Sequence, residues 1–157
     1  MLKFGLPLIA VQDIEVSKKF YCDLFEQQVT MDLGRNVMLS GGFCLQQDFD
    51  ILVGLPERAV LYRTNNMELY FEVDDFDAFV CKLKARDGIE YVHPPKKHVW
   101  QQRVVRIYDP DGHMIEIGES MTFLAKKYLR EGCSVEKTAE LLQHPIEFVE
   151  QCRKEMG

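Results

Sequence analysis

Two glutamates carry the strongest chemical signal in this chain. In the run Met67–Val73, Leu69, Phe71 and Val73 alternate with Glu68, Tyr70 and Glu72; in the run Met114–Gly118, Ile115 and Ile117 alternate with Met114 and Glu116. A strand turns successive side chains to opposite faces, so Glu68 and Glu116 share the polar face of their segments. The same alternation puts Cys44 and Gln46 on the equivalent face of an earlier segment, and Gln102, Val104, Arg106 and Tyr108 on that face of a later one. Two carboxylates in a low-dielectric pocket repel, and three things relieve them: a metal ion, a cationic side chain such as Arg106, or a proton. Each solution implies a different function.

The elements that position these residues repeat. Gly5–Val11 is an extended apolar run ending at Asp13, a helix N-cap, and Val16, Phe20, Tyr21, Leu24 and Phe25 follow at helical spacing. Short segments separated by turn residues come next: Gln27–Leu33, Val37–Ser40 and Phe43–Asp48. One helical turn is expected near Phe49–Val53. The order then restarts with Met67–Val73, a helix over Phe76, Phe79, Val80 and Leu83, and segments Ile89–Val92, Gln102–Tyr108 and Met114–Gly118. Val11-Gln-Asp13 overlays Val73-Asp-Asp75, and Gly42-Phe-Cys-Leu-Gln46 overlays Gly112-His-Met-Ile-Glu116. The fold class is therefore α+β: two βαβββ modules, about 5–48 and 67–118, within a domain 1–119, their sheets curling into an eight-stranded cup. Residues 120–157 read as a C-terminal helical appendix, with Ser134 as an N-cap and Pro145 in a first turn.

Composition narrows the classes. The 157 residues include 19 Lys+Arg against 25 Asp+Glu, a net charge of −6 that repels nucleic acid and anionic membranes. The run Gly132–Val149 resembles helix-turn-helix segments, yet Glu147, Glu150 and Glu155 oppose Arg153 and Lys154, which suits docking or dimer support better than phosphate contact. No apolar run approaches the roughly 20 residues that span a bilayer, and no signal core follows the N-terminus, so a cytoplasmic location is expected. Five cysteines without a C-x-x-C pair read as reduced thiols, Cys44 among them as a packed one.

The segment Trp100-Gln-Gln-Arg-Val-Val-Arg-Ile-Tyr-Asp-Pro-Asp-Gly-His-Met-Ile-Glu116, with the doubled βαβββ order, resembles the vicinal oxygen chelate superfamily: glyoxalase I, fosfomycin-resistance proteins, extradiol dioxygenases and bleomycin-resistance proteins. The resemblance implies a small molecule held on the concave face, a homodimer and, in catalytic members, a central divalent metal. Carried over residue by residue, its metal positions fall on Leu6, Gln46, Glu68 and Glu116, and leucine cannot ligate. The remaining set of Gln46, Glu68 and Glu116 favours Mg²⁺ or Mn²⁺ over the Zn²⁺ or Ni²⁺ of imidazole-rich sites. An enzyme of this kind would be a metal-assisted lyase or isomerase acting on adjacent oxygens, with Glu116 or Glu68 moving the proton. Extradiol chemistry wants two imidazoles, which these positions lack.

The other reading is a metal-free protein that sequesters or senses an aromatic or cationic compound, with Arg106 neutralising the carboxylates. In either case Gln46, Tyr70, Trp100, Arg106 and Tyr108 are the expected ligand contacts. Trp100 offers a ring to stack on a planar ligand. His93 and His98 flank Pro94-Pro-Lys-Lys97 in what reads as a mobile rim loop rather than a ligand pair.

Overall fold

A computed structural model describes all 157 residues and contains eight strands and six helices. Strand β1 (Leu8–Val11) leads into helix α1 (Ile14–Phe25), followed by β2 (Val29–Asp32), β3 (Asn36–Leu39), β4 (Phe43–Gln47) and the single turn α2 (Phe49–Val53). The second round is β5 (Glu68–Val73), α3 (Phe76–Lys84), β6 (Glu90–Lys97), β7 (Arg103–Tyr108) and β8 (Met114–Glu119). Helices α4 (Met121–Arg130), α5 (Val135–Leu142) and α6 (Ile146–Lys154) close the chain. The βαβββ order occurs twice, as its sequence pattern predicts.

The chain divides into two compact units, 1–67 with 108–113, and 68–107 with 114–157. In the first, the sheet order is β1-β4-β3-β2, with β1 parallel to β4 and the other pairs antiparallel. Asp13 caps α1 by accepting from the backbone amides of Glu15 and Val16, satisfying two donors that a helix start leaves open. The buried stripe of α1 (Ile14, Ser17, Phe20, Tyr21, Leu24, Phe25) packs on the sheet, and the Tyr21 ring meets Phe43 edge-on at 5.2 Å. Phe43 therefore points to the helix, and its neighbours Cys44 and Gln46 belong to the opposite face.

The turn Asp109-Pro-Asp-Gly112 locks this unit. Asp109 accepts four bonds: from the Tyr21 hydroxyl at 2.7 Å, His113 Nδ1 at 2.9 Å, and the backbone amides of Asp111 and His113 at 3.0 and 2.8 Å. Asp111 accepts from the Gln12 amide at 2.8 Å and from the Ser17 hydroxyl at 2.8 Å. Both carboxylates are buried and fully partnered, the condition under which a buried charge stabilises. Gly112 sits at φ 85°, and a Cβ there would lie 3.0 Å from Arg63 Cγ.

In the second unit the order is β5-β8-β7-β6, with β5 parallel to β8. The expected loop after Val92 is instead strand: β6 runs through Pro94 and Pro95 to Lys97. It is an edge strand, where a residue without an N–H forfeits no ladder bond on the solvent side. Ser120 and Ser134 cap α4 and α5 through the amides of Phe123 and Lys137. The three last helices bury Met121, Leu124, Ala125, Leu142 and Cys152 together, and Trp100 packs against that cluster. No helix is long and apolar enough to cross a membrane.

Candidate functional site

Each strand of the second sheet contributes one residue to a single charged cluster: Glu68 from β5, Glu116 from β8, Arg106 from β7 and His93 from β6. Arg106 Nε donates to Glu68 Oε2 at 2.9 Å, and its Nη2 forms an ion pair with Glu116 Oε2. The alternation that put both carboxylates on one face holds, and a guanidinium has been placed between them. Glu116 is buried with 9% of its side chain exposed, Arg106 with 20%, while Glu68 at 38% reaches solvent. Arg106 Nη1 lies 3.1 Å from His93 Nε2, and His93 Nδ1 lies 2.8 Å from the Pro94 carbonyl. A carbonyl only accepts, so Nδ1 carries the proton and Nε2 is the acceptor facing the guanidinium.

A second chain of hydrogen bonds runs beside this cluster. Trp100 Nε1 donates to Gln102 Oε1 at 2.9 Å, Gln102 Nε2 donates to the Tyr70 hydroxyl at 2.8 Å, and that hydroxyl donates to Glu72 Oε1 at 2.9 Å. Burial, then the hydrogen bond to Glu72, pushes the Tyr70 phenol up to about 12, so it is a neutral group at ordinary pH. Gly118 makes room: a Cβ there would stand 2.6 Å from Gln102 Nε2 and 3.0 Å from the Tyr70 ring. Tyr70 is half exposed, flanked on its own face of β5 by exposed Glu68 and Glu72.

The other expected contacts have local partners. Trp100 stacks on His98 at 4.0 Å with 9° between the rings and docks on the C-terminal helices, which makes it a packing anchor. Tyr108 belongs to the first unit, where its hydroxyl donates to Asn65 Oδ1 at 2.7 Å and the Arg63 guanidinium lies 4.5 Å above its ring. Gln46 is also in the first unit; its Oε1 accepts from Asn36 Nδ2 at 2.8 Å and its Nε2 donates to the Gln47 carbonyl at 2.7 Å. Leu6 precedes β1. By pairing register Leu8 faces Cys44 as Glu68 faces Met114, so the counterpart of Glu68 is leucine on either count. On that face of the first sheet the row Leu8, Cys44, Met38, Met31 is apolar or sulfur-bearing. Burial raises the Cys44 thiol, which leaves it un-ionised.

These residues do not fit a divalent metal. Both carboxylates are committed to a guanidinium that cannot lose its charge, the Gln46 amide is engaged at both ends, and no three His, Cys, Asp or Glu side chains stand where they could share an ion. A hollow of about 400 Å³ elsewhere in the second unit, beside Phe76 and Phe123, is likewise internally paired: Arg103 bridges Glu119 at 2.8 Å and Asp77 at 2.9 Å. Strand alternation in the sequence puts Glu72 and Gln102 on the polar face without assigning them a contact, and His93, read from sequence as part of a rim loop, lies instead on β6 beside Arg106. Only the extension of β6 through its two prolines could have pointed to His93.

A glyoxalase-like domain family model matches residues 4–122, which leaves α5 and α6 outside the match. Among solved structures, a protein of unknown function from Agrobacterium tumefaciens is 35% identical over 76% of this chain and 95% of its own, with a TM-score of 0.66. A glyoxalase-related enzyme from Fulvimarina pelagi is 23% identical over 76% of this chain and 89% of its own, with a TM-score of 0.61. The fosfomycin resistance protein FosX from Listeria monocytogenes is 19% identical over 76% and 94%, with a TM-score of 0.59. A comparison with curated proteins finds no match. The repeated βαβββ order, the matching strand orders of the two four-stranded sheets and the extent of the family match agree: the chain belongs to the glyoxalase-like family of the vicinal oxygen chelate superfamily.

Proposed function

We propose that this protein is a metal-independent small-molecule binder of the glyoxalase and bleomycin-resistance type, and that its ligand joins a positive charge to an aromatic or apolar body. The observation that carries this reading is the Arg106 guanidinium seated between Glu68 and Glu116, which takes the place of an external cation. Charge accounting gives the ligand class. Glu68, Glu72 and Glu116 bring three negative charges and Arg106 one positive, so the cluster on β5, β7 and β8 carries a net negative charge, with Glu68 and Glu72 as its exposed carboxylates. Between them lies the half-exposed Tyr70 ring. Carboxylates beside an aromatic face recognise ammonium groups by ion pairing and cation–π attraction, each contributing on the order of 1 kcal/mol at such exposure. Metal-assisted enolate chemistry finds no free donor set here, so no such step is assigned.

Calorimetric titration with benzyltrimethylammonium, an aromatic quaternary ammonium, tests the reading. The protein binds it, Glu68→Gln and Glu72→Gln each weaken binding by about fivefold to tenfold, and neutral benzyl alcohol binds far more weakly. Equal affinity for the charged and neutral probes, or none for either, contradicts it.

A further inference from the structure

We infer that the C-terminal helices are a working part of the ligand site: they anchor Trp100, and Gln102, bonded to Trp100, is the positioning residue that fixes the Tyr70 ring and the Glu72 carboxylate. The inference rests on the proposed ligand reading and adds to it a role for α5 and α6, which lie outside the family match. The direction of the hydrogen-bond chain follows from two groups that have no choice, since an indole N–H only donates and a backbone carbonyl only accepts. Trp100 Nε1 donates to Gln102 Oε1 at 2.9 Å, and Gln102 Nε2 donates to the Glu119 carbonyl at 2.9 Å. Turning the amide over would set N–H against N–H and oxygen against oxygen inside the protein, where Gln102 is only 4% exposed. Its Nε2 also donates to the Tyr70 hydroxyl at 2.8 Å, so the phenol passes its own proton on to Glu72 Oε1 at 2.9 Å. With the hydroxyl bonded on both sides, Tyr70 offers a cation its ring, and Glu72 is tied beside that ring.

The helices hold the start of this chain. Trp100 packs against the cluster of Met121, Leu124 and Ala125 from α4, Leu142 from α5 and Cys152 from α6, and the Tyr128 hydroxyl of α4 donates to Gln101 Oε1 at 3.4 Å. A fully satisfied buried network holds each member in one orientation. The ligand face is thereby set in advance, which spares a ligand the cost of ordering Tyr70 and Glu72.

Calorimetry with benzyltrimethylammonium and nitrogen-15 NMR of the indole, both on the full chain, test the inference; the single tryptophan gives one indole signal. Gln102→Met weakens binding by about fivefold to tenfold, and adding Glu72→Gln to it weakens binding by no more than about a further twofold, because Gln102 acts through Tyr70 and Glu72. Trp100→Phe, which keeps a ring on the helices but lacks the N–H donor, weakens binding by about threefold. In the native chain the indole N–H exchanges slowly with solvent and its signal moves as the probe saturates the site; Gln102→Met abolishes both the protection and the movement. Should Gln102→Met not fold, Trp100→Phe and the native indole signal decide the question. Folded variants with native affinity, effects of Gln102→Met and Glu72→Gln that multiply, or an indole signal indifferent to the bound probe overturn the inference while leaving the ligand reading standing. Failure of the native chain to bind the probe overturns both.

Discussion

Replacing Arg106 with methionine lowers the free energy of unfolding by about 3–5 kcal/mol, because it leaves Glu116 buried and charged without its partner. The loss is not the net worth of the ion pair. Taking a carboxylate and a guanidinium from water costs several kcal/mol per ion, which their attraction roughly offsets, so the large penalty appears only when one partner stays behind. Arg106→Met combined with Glu116→Gln therefore recovers more than half of the loss, and a double-mutant cycle from urea unfolding measures the coupling. An exposed pair gives the contrast: removing Lys19, which bonds Asp23 at 2.7 Å on the surface of α1, costs no more than about 0.5 kcal/mol. Equal small effects at both places would mean that the Glu116 carboxylate is solvated.

Asp109→Asn has the second large effect, in stability and in its dependence on pH. The carboxylate accepts four hydrogen bonds, and an amide in its place presents N–H groups to donors on one side. At least two bonds are lost inside the protein, which costs about 2–4 kcal/mol. The pH signature comes from His113. Burial opposes its charged form, but the hydrogen bond and charge of Asp109, together with the charge of Asp111, hold it above the ordinary value of 6.5. A raised native pKa means that the stabilisation is fully present below the unfolded value and fades as pH rises through the native one. Native stability thus falls from about pH 6.5 upward through this group, and the Asn variant loses most of that slope. Tyr21 does not blur the result, because burial, followed by the charge of Asp109, pushes its phenol well above its usual value. Urea unfolding at about pH 5.5 and about pH 8.5 reads both effects, and an unchanged slope in Asp109→Asn would mean that His113 draws its shift from elsewhere.

The architecture was legible because it depends on local periodicity. Alternation along Glu68–Val73 and Met114–Glu119 is a property of a strand wherever it sits, and the Gly42 and Gly112 corners aligned the two modules. Partner choice is not local. Glu116 could have paired with Arg103 or Arg106, since both lie on β7, and only the three-dimensional arrangement sends Arg103 to Glu119 and Asp77 and Arg106 to Glu68 and Glu116. The strand role of Pro94 and Pro95 was hidden because proline opposes strands in general and is tolerated on an edge, and edge position is a product of the fold. Trp100 shows the same limit: a rim aromatic and a packing anchor look alike in sequence, and the helices that claim its ring lie more than twenty residues further on.

The chemical meaning of Asp109-Pro-Asp-Gly112 also emerged only in three dimensions. It is the most specific stretch of the resemblance, yet its carboxylates hold α1 and the start of the first module rather than a ligand. The residues that face the proposed ligand come instead from β5, where strand alternation alone already sets Glu68, Tyr70 and Glu72 on one face.

Nitrogen-15 NMR of the Arg106 guanidinium in the native protein, free of added metal, bears most directly on the claim that this side chain is the site's own cation. A guanidinium held on three sides rotates slowly about its terminal bonds and shows separate, protected Nη signals that collapse in Glu68→Gln/Glu116→Gln. A single averaged Nη signal in the native chain, as a freely rotating arginine gives, would contradict it.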